Sequence, residues 1–150
     1  MAIATGTMTI TITESLDVGT TVMDTATSIA ETVTVNDIFK RVITCPTSEI
    51  VLYLTHASVP QGYVLDKDLI KYTRITNHDG SNFVTLRITD GNNDEVAYKL
   101  AAGQSFILWG HAASMSAADA ATAGAVNADI ASVEAQADTA ACDLEILIAS

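Results

Sequence analysis

The 150-residue chain is predicted to fold as an all-β, single-domain β-sandwich of jelly-roll or Greek-key type that spans residues 1–150. Many short segments alternate apolar and polar residues at the two-residue period of a β-strand, and turn residues separate them at regular spacing. The hydrophobic fraction of 49% is enough for one buried core in a chain of this length. Abundant Thr, Val and Ile agree with this prediction, because β-branched residues favour strands.

Four segments in the first half of the chain have strand periodicity. The first, residues 7–13, alternates Thr with apolar residues and is the clearest strand of the sequence. Residues 1–6, which precede it, are predicted to form an extended N-terminal arm. Residues 56–68 contain a Pro-Gln-Gly turn signal and are predicted to form the longest loop of this half. The other three strands are predicted at residues 30–35, 41–45 and 50–54.

The second half is predicted to contain a meander, in which consecutive strands pair with each other. Residues 77–82 are polar, contain Gly80 and lie between two strand-like segments, which is typical of a hairpin. Residues 112–128 are rich in Ala and contain Gly124, so they are predicted to form either a short helix or an exposed loop. The meander strands are predicted at residues 70–76, 83–89, 96–100 and 105–109, and later strands at 130–133 and 142–148.

The chain is strongly acidic, with 18 Asp and Glu against 7 Lys and Arg and a formal net charge of -11. Phosphate backbones and anionic membranes repel such a surface, so neither nucleic acid nor a membrane is a predicted partner. No apolar run approaches the ~18 residues of a membrane span, and the N-terminus lacks the charged start of a signal peptide. A soluble protein without a cleaved signal is therefore predicted.

Metal-binding chemistry is not predicted. The three histidines lie in separate predicted loops, and none has a Cys or His partner at metal-ligand spacing. Residues 90–95 faintly resemble a calcium loop, but Glu95 stands where that loop requires Gly, so a hairpin tip is predicted instead. The histidines concerned are His56, His78 and His111.

Catalytic chemistry is not predicted either. The sequence has no Gly-x-Ser-x-Gly elbow, phosphate-binding glycine loop or HExxH pair, so no nucleophile has a recognisable activating partner. Cys45 and Cys142 lie far apart without CxxC spacing and are predicted to be buried, reduced thiols, with a structural disulfide as the alternative. The chain is therefore predicted to be a non-enzyme without cofactors.

Apolar side chains near the N-terminus and the Ala-rich stretch add more apolar surface than a monomer readily hides. A symmetric homo-oligomer, specifically a homotrimer, is therefore predicted. Trp109, the only tryptophan, ends a predicted strand and is either a core aromatic at the sandwich edge or an interface anchor. The predicted interface residues are Ile3, Met8, Trp109, His111 and Met115.

Three segments carry a resemblance to a known group of proteins. Residues 72–88 and 98–108 contain a strand ending in Asn, a Ser-Asn-Phe-Val turn, and a Leu-Ala-Ala-Gly-Gln-Ser turn before a further strand. Residues 137–148 contain the pattern Ala-x-Thr-Ala followed by a Leu-Glu strand. These turn-and-strand patterns are similar to those of small structural virion proteins of tailed bacteriophages.

The resemblance implies a non-enzymatic head decoration or cement protein. Such a protein is made in the host cytoplasm, binds the major capsid protein and sits as an oligomer on the outer capsid surface of the virion. Another phage structural role, in a head fibre, neck or tail, and a host-glycan-binding module remain alternatives. A small hydrolase or metalloenzyme is the third class, and the absence of catalytic motifs disfavours it.

Overall fold

The computed structural model of the chain describes residues 5–18, 21–56, 64–66, 68–109 and 129–150, with residues 14–18, 21–29, 56 and 64 described by their backbone alone. Every regular element within these ranges is a β-strand, which confirms the all-β prediction. The strands are β1 (Gly6–Val18), β2 (Thr21–Val35), β3 (Ile38–Cys45), β4 (Ile50–His56), β5 (Val64–Asp66), β6 (Tyr72–Asn77), β7 (Val84–Asp90), β8 (Glu95–Leu100), β9 (Ser105–Trp109), β10 (Ile130–Ala137) and β11 (Cys142–Ala149).

The chain divides into two compact units, Met1–Asn36 and Asp37–Ser150. In the first unit, β1 and β2 form an antiparallel two-stranded sheet, with an irregularity in register between Glu14 and Leu16. Gly6, the last residue of the predicted N-terminal arm, belongs to β1. The single domain over residues 1–150 stays a prediction.

The second unit consists of two β-sheets packed over one hydrophobic core, and the predicted β-sandwich is confirmed to that extent. One sheet has five strands in the order β5-β4-β10-β7-β8, and the other has four in the order β3-β11-β6-β9. All pairs are antiparallel except β4 with β5.

The core follows from the two-residue period of the strands. Along β7 and β11, buried residues alternate with more exposed ones, so one side of each sheet points inward. Tyr53 of β4 and Thr73 of β6 hydrogen-bond across the core, and burial raises the pKa of Tyr53 to about 12. Each large apolar side chain buried in this way stabilises the fold by roughly 1.5–3 kcal/mol. The largest are Ile75, Leu86, Ile88, Leu100, Leu144, Ile146 and Ile148.

The predicted four-strand meander is wrong. Of the four strands of this meander, β6 to β9, only β7 and β8 pair with their neighbour in sequence, around a turn in which Asn93 has a φ of 66°. That turn is the hairpin tip predicted at residues 90–95. The loop over residues 77–82 instead carries the chain from β6 in the four-stranded sheet to β7 in the five-stranded sheet. The turn from β8 to β9 also changes sheets, and Gly103 in it adopts a φ of 71°, which favours glycine.

Asn77 explains why residues 77–82 form a corner between sheets. Its side-chain amide donates to the carbonyls of Asn82, at 2.9 Å, and Leu100, at 3.3 Å, and its Oδ1 accepts from the backbone N–H of Asp79. Its backbone also exchanges hydrogen bonds with the β8–β9 turn, through Gly103 and Gln104. The side chain is fully buried, so it ties the two corners together inside the protein.

The structure describes part of one predicted connecting region, residues 56–68, and none of the other, residues 112–128. The predicted loop over residues 56–68 contains a short strand, β5, which pairs in parallel with β4, so the loop prediction is wrong at that point. A strand of three residues, Val-Leu-Asp, is too short to show a two-residue period in the sequence. The predicted helix or loop at residues 112–128 lies outside the described residues.

Candidate interaction surface

The structure gives positions for two of the five predicted interface residues. Met8 lies on β1 in the first unit and is half-buried, and Trp109 ends β9 in the second unit with 39% of its surface exposed. Ile3, His111 and Met115 lie outside the described residues.

Trp109 belongs to the solvent-facing side of the four-stranded sheet. In β11, Leu144, Ile146 and Ile148 point into the core, so the alternate residues Asp143, Glu145 and Leu147 face outward. The strand register places residues of the other three strands beside them. We call this surface the neutral face, and it consists of Ile38, Lys40, Val42, Thr44, Arg74, Thr76, Ser105, Ile107, Trp109, Asp143, Glu145 and Leu147. Tyr72 and Ala149 lie on the same side of the sheet but are buried.

The neutral face exposes apolar side chains at positions where the solvent-facing side of an antiparallel sheet ordinarily has polar residues. Val42 is 59% exposed and Ile38 is 52% exposed, both on the edge strand β3. Trp109 packs edge-on against Tyr72, with ring centroids 5.4 Å apart. Aromatic and aliphatic groups gathered on one exposed sheet are typical of a surface that contacts another protein.

The charges on this face balance one another. Glu145 forms ion pairs with Lys40, at 3.1 Å, and with Arg74. Asp143 accepts a hydrogen bond of 2.9 Å from the Thr44 hydroxyl. Two cations and two anions leave the face without net charge, although the whole chain carries -11. An acidic partner, such as a second copy of this chain, would therefore meet less electrostatic repulsion here than elsewhere on the chain.

The ion pairs of Glu145 predict a measurable pH dependence. The hydrogen bond from Lys40 is the largest cause that lowers the pKa of Glu145 below its usual value of 4.5. A lowered folded-state pKa stabilises the fold above pH 4.5, and this stabilisation is lost as pH falls through the folded-state value. Glu145→Gln should therefore melt a few degrees below the wild type at pH 7. The difference should shrink towards zero in acid, as measured by thermal melts from pH 7 to pH 2.5.

Salt provides the control for that comparison. Because Glu145 pairs near the surface, roughly 1 M NaCl should reduce the difference at pH 7 without reversing it. A melting difference that stays constant across the pH range would mean that the substitution acts through packing, not through charge.

The solvent-facing side of the five-stranded sheet is more acidic. Arg87 of β7 is surrounded by three carboxylates, with Glu49 at 2.6 Å, Glu95 at 2.5 Å and Glu134 at 4.0 Å. The hydrogen bond with Glu49 is the largest cause that raises the pKa of Arg87. Lys99 of β8 lies on the same side, opposite Thr85, so two cations face three carboxylates and this side keeps a net negative charge, unlike the neutral face.

The described residues offer little for catalysis or metal binding. Within residues 5–18, 21–56, 64–66, 68–109 and 129–150, no group of three or more His, Cys, Asp and Glu is placed to hold a metal ion. In the β7–β8 turn, Oδ1 of Asp90 accepts from the backbone N–H groups of Asn92 and Asp94, so this oxygen braces the turn. His78 is exposed in the corner after β6, His56 ends β4, and His111 lies outside the described ranges.

Cys45 and Cys142 are both fully buried, which confirms their predicted burial, and neither is bonded. Burial is the largest cause that raises the pKa of each thiol. The reactive thiolate is therefore scarce in the folded chain.

Sequence reasoning missed most of the neutral face. Ile38, Val42, Ile107 and Leu147 were not among the predicted interface residues. The available signal was the unbroken apolar run at residues 106–109, which has apolar side chains on both sides of a strand. Such a run predicts an outer surface that is not fully polar, but it does not identify the neighbouring strands.

Comparisons with known proteins found no matching family model, no matching curated protein and no matching solved structure. A search of the described part of the chain found no helix long and apolar enough to cross a membrane.

Proposed function

We propose that this chain is a non-enzymatic virion protein of a tailed bacteriophage, with a jelly-roll sandwich that decorates the outer surface of the capsid. In this proposal it binds the major capsid protein as a homotrimer and stabilises the shell. The turn-and-strand patterns at residues 72–88, 98–108 and 137–148 support the phage assignment.

The order in which strands pair is the observation that carries this proposal. In the second unit the first strand pairs with the last, β3 with β11, and the next pairs are nested inside it. These are β4 with β10, β6 with β9, and β7 with β8. A long nested hairpin divided between two sheets supports the jelly-roll type, an architecture that occurs in viral capsid proteins and in lectins.

The neutral face is the proposed attachment surface. Its exposed Ile38, Val42 and Trp109 lie beside Lys40 and Arg74, whose charges are already paired with Glu145. Within the described residues, Asp143, which accepts a hydrogen bond from the Thr44 hydroxyl, is the one charge of this face without an ion pair. Protein interfaces are enriched in aromatic and Arg side chains, and this face has both in Trp109 and Arg74. The acidic five-stranded sheet would then face solvent.

Two matched valine substitutions test the proposal. Val42, on the neutral face, is 59% exposed, and Val51, on the five-stranded sheet, is 50% exposed, so either should accept Asp without unfolding the sandwich. We expect Val42→Asp to weaken binding to phage heads by at least about tenfold, because it places a charge in the desolvated interface. Val51→Asp should bind like the wild type.

The measurement is co-sedimentation of purified protein with heads from phage whose copy of this gene has been deleted. Melting temperatures of both variants control for folding. Equal binding by both variants would remove the neutral face from the mechanism. Failure of the wild-type protein to bind heads, together with binding to tails or to host glycans, would overturn the decoration role.

A further inference from the structure

Cys45 and Cys142 lie directly opposite each other on neighbouring strands. Cys45 ends β3 and Cys142 begins β11, and the antiparallel register makes them direct partners. At the far end of the same ladder, Asp37 and Ser150 exchange two backbone hydrogen bonds, of 2.9 and 3.0 Å. Alternate pairs of an antiparallel ladder are hydrogen-bonded, and the register runs without a shift, so the cysteines also form a hydrogen-bonded pair.

This arrangement fits the geometry of a disulfide. The Cα atoms of a hydrogen-bonded antiparallel pair lie about 5.5 Å apart, and disulfides usually join Cα atoms about 4.4–6.8 Å apart. Direct partners place their side chains on the same side of the sheet. For these two residues that side is the core, because both are fully buried.

We propose that Cys45 and Cys142 are the two halves of a cross-strand disulfide that forms when the protein meets an oxidising environment. The oxidant is a low-molecular-weight disulfide such as oxidised glutathione. One cysteine thiolate attacks it to form a mixed disulfide and releases one glutathione thiol, and the second cysteine then displaces the other glutathione. In total the two thiols lose two electrons and two protons, and one oxidised glutathione becomes two reduced ones.

The position of this bond should make β3 resist separation from β11 under a pulling force. In the four-stranded sheet β3 is an edge strand that pairs with β11 alone, and the hairpin of the first unit precedes it in the chain. A force applied through that hairpin would peel β3 away from β11, beginning at Ile38. A disulfide at the opposite end of the strand stops this separation at Cys45 and closes a loop that contains every strand from β4 to β10.

The bond is also expected to form slowly in the folded protein, since both cysteines are buried and burial raises the pKa of each thiol. In a compartment that glutathione keeps reducing, the chain would fold with two free cysteines. Oxidation then follows transient opening of this end of the sandwich. This inference does not depend on the proposed virion role.

The test is oxidation of the purified full-length chain with oxidised glutathione, both in the folded state and during refolding from urea. We expect the loss of both free thiols, a monomer lighter by two hydrogens in mass spectrometry, and a Cys45–Cys142 peptide in the digest. The loop closed is about 100 residues long, so the melting temperature should rise by roughly 10 °C and return to its starting value with dithiothreitol. Cys142→Ser should show no oxidation-dependent rise.

Three results would overturn the proposal. These are thiols that stay free after oxidative refolding, stable glutathione adducts on either cysteine, and covalent dimers in place of the internal bond. An internal bond that lowers the melting temperature would contradict the proposed stabilisation. The peptide assignment does not use a variant, so it remains decisive if Cys142→Ser folds poorly.

Discussion

Ile146→Ala is expected to destabilise the sandwich by about 2–5 kcal/mol, because it removes three buried carbon atoms and leaves a cavity in the core. Ile146 lies in β11, between β3 and β6, and its side chain is fully buried. Neighbouring strands on both sides hold the backbone, so the site has little freedom to collapse around the smaller side chain. Urea unfolding followed by circular dichroism measures this loss of stability.

Val42→Ala is the matched control for that experiment. Val42 lies on β3, in the same sheet, but its side chain faces solvent, so the substitution should change the free energy of unfolding by less than about 0.5 kcal/mol. If Ile146→Ala were as mild as Val42→Ala, the inward direction assigned to alternate residues of β11 would be wrong.

Asn77→Ala is expected to cost about 2–4 kcal/mol, because it leaves buried backbone groups without hydrogen-bond partners. The carbonyls of Asn82 and Leu100 lose their donor, and the N–H of Asp79 loses its acceptor. Since this side chain joins the β6–β7 corner to the end of β8, amide exchange should speed up at both places. Hydrogen exchange measured by mass spectrometry, together with urea unfolding, reports both effects.

Thr139→Ala provides the comparison within the same region. Its hydroxyl donates to Oδ1 of Asn82 at 2.9 Å, but this hydrogen bond is exposed, so water can replace it. We expect a loss below about 1 kcal/mol and no change in exchange at Leu100. Equal losses for Asn77→Ala and Thr139→Ala would show that the buried amide does not fix the corner.

The positions of most strands could be predicted from the sequence, because alternation of apolar and polar residues depends only on neighbours along the chain. Residues 105–109 form β9 as predicted, and β7 differs from its predicted range by one residue at each end. The pairing of strands could not be predicted in this way. Gly80 and its polar neighbours are compatible both with a hairpin and with a corner, and the choice depends on Asn77 reaching Leu100, 23 residues away.

The neutral face could not be predicted from the sequence either, because its residues come together only through the pairing of strands. Trp109 could be identified as an interface candidate because tryptophan is rare and ended a strand. Ile38 and Val42 became candidates only when the register placed β3 beside β11, at the edge of the four-stranded sheet. The opposition of Cys45 and Cys142 also depends on that register, since nothing in their spacing indicates it.

The most direct test of the proposed function is a cryo-electron microscopy reconstruction of the virion whose genome encodes this chain. The proposal predicts density for a two-sheet sandwich on the outer capsid surface, in threefold groups, with the four-stranded sheet and Val42 against the major capsid protein and the Arg87 side of the five-stranded sheet towards solvent. Density for the chain in the tail or neck, or no density in the virion, would contradict the proposed function. A decorated capsid contacted through the Arg87 side would contradict the assignment of the neutral face.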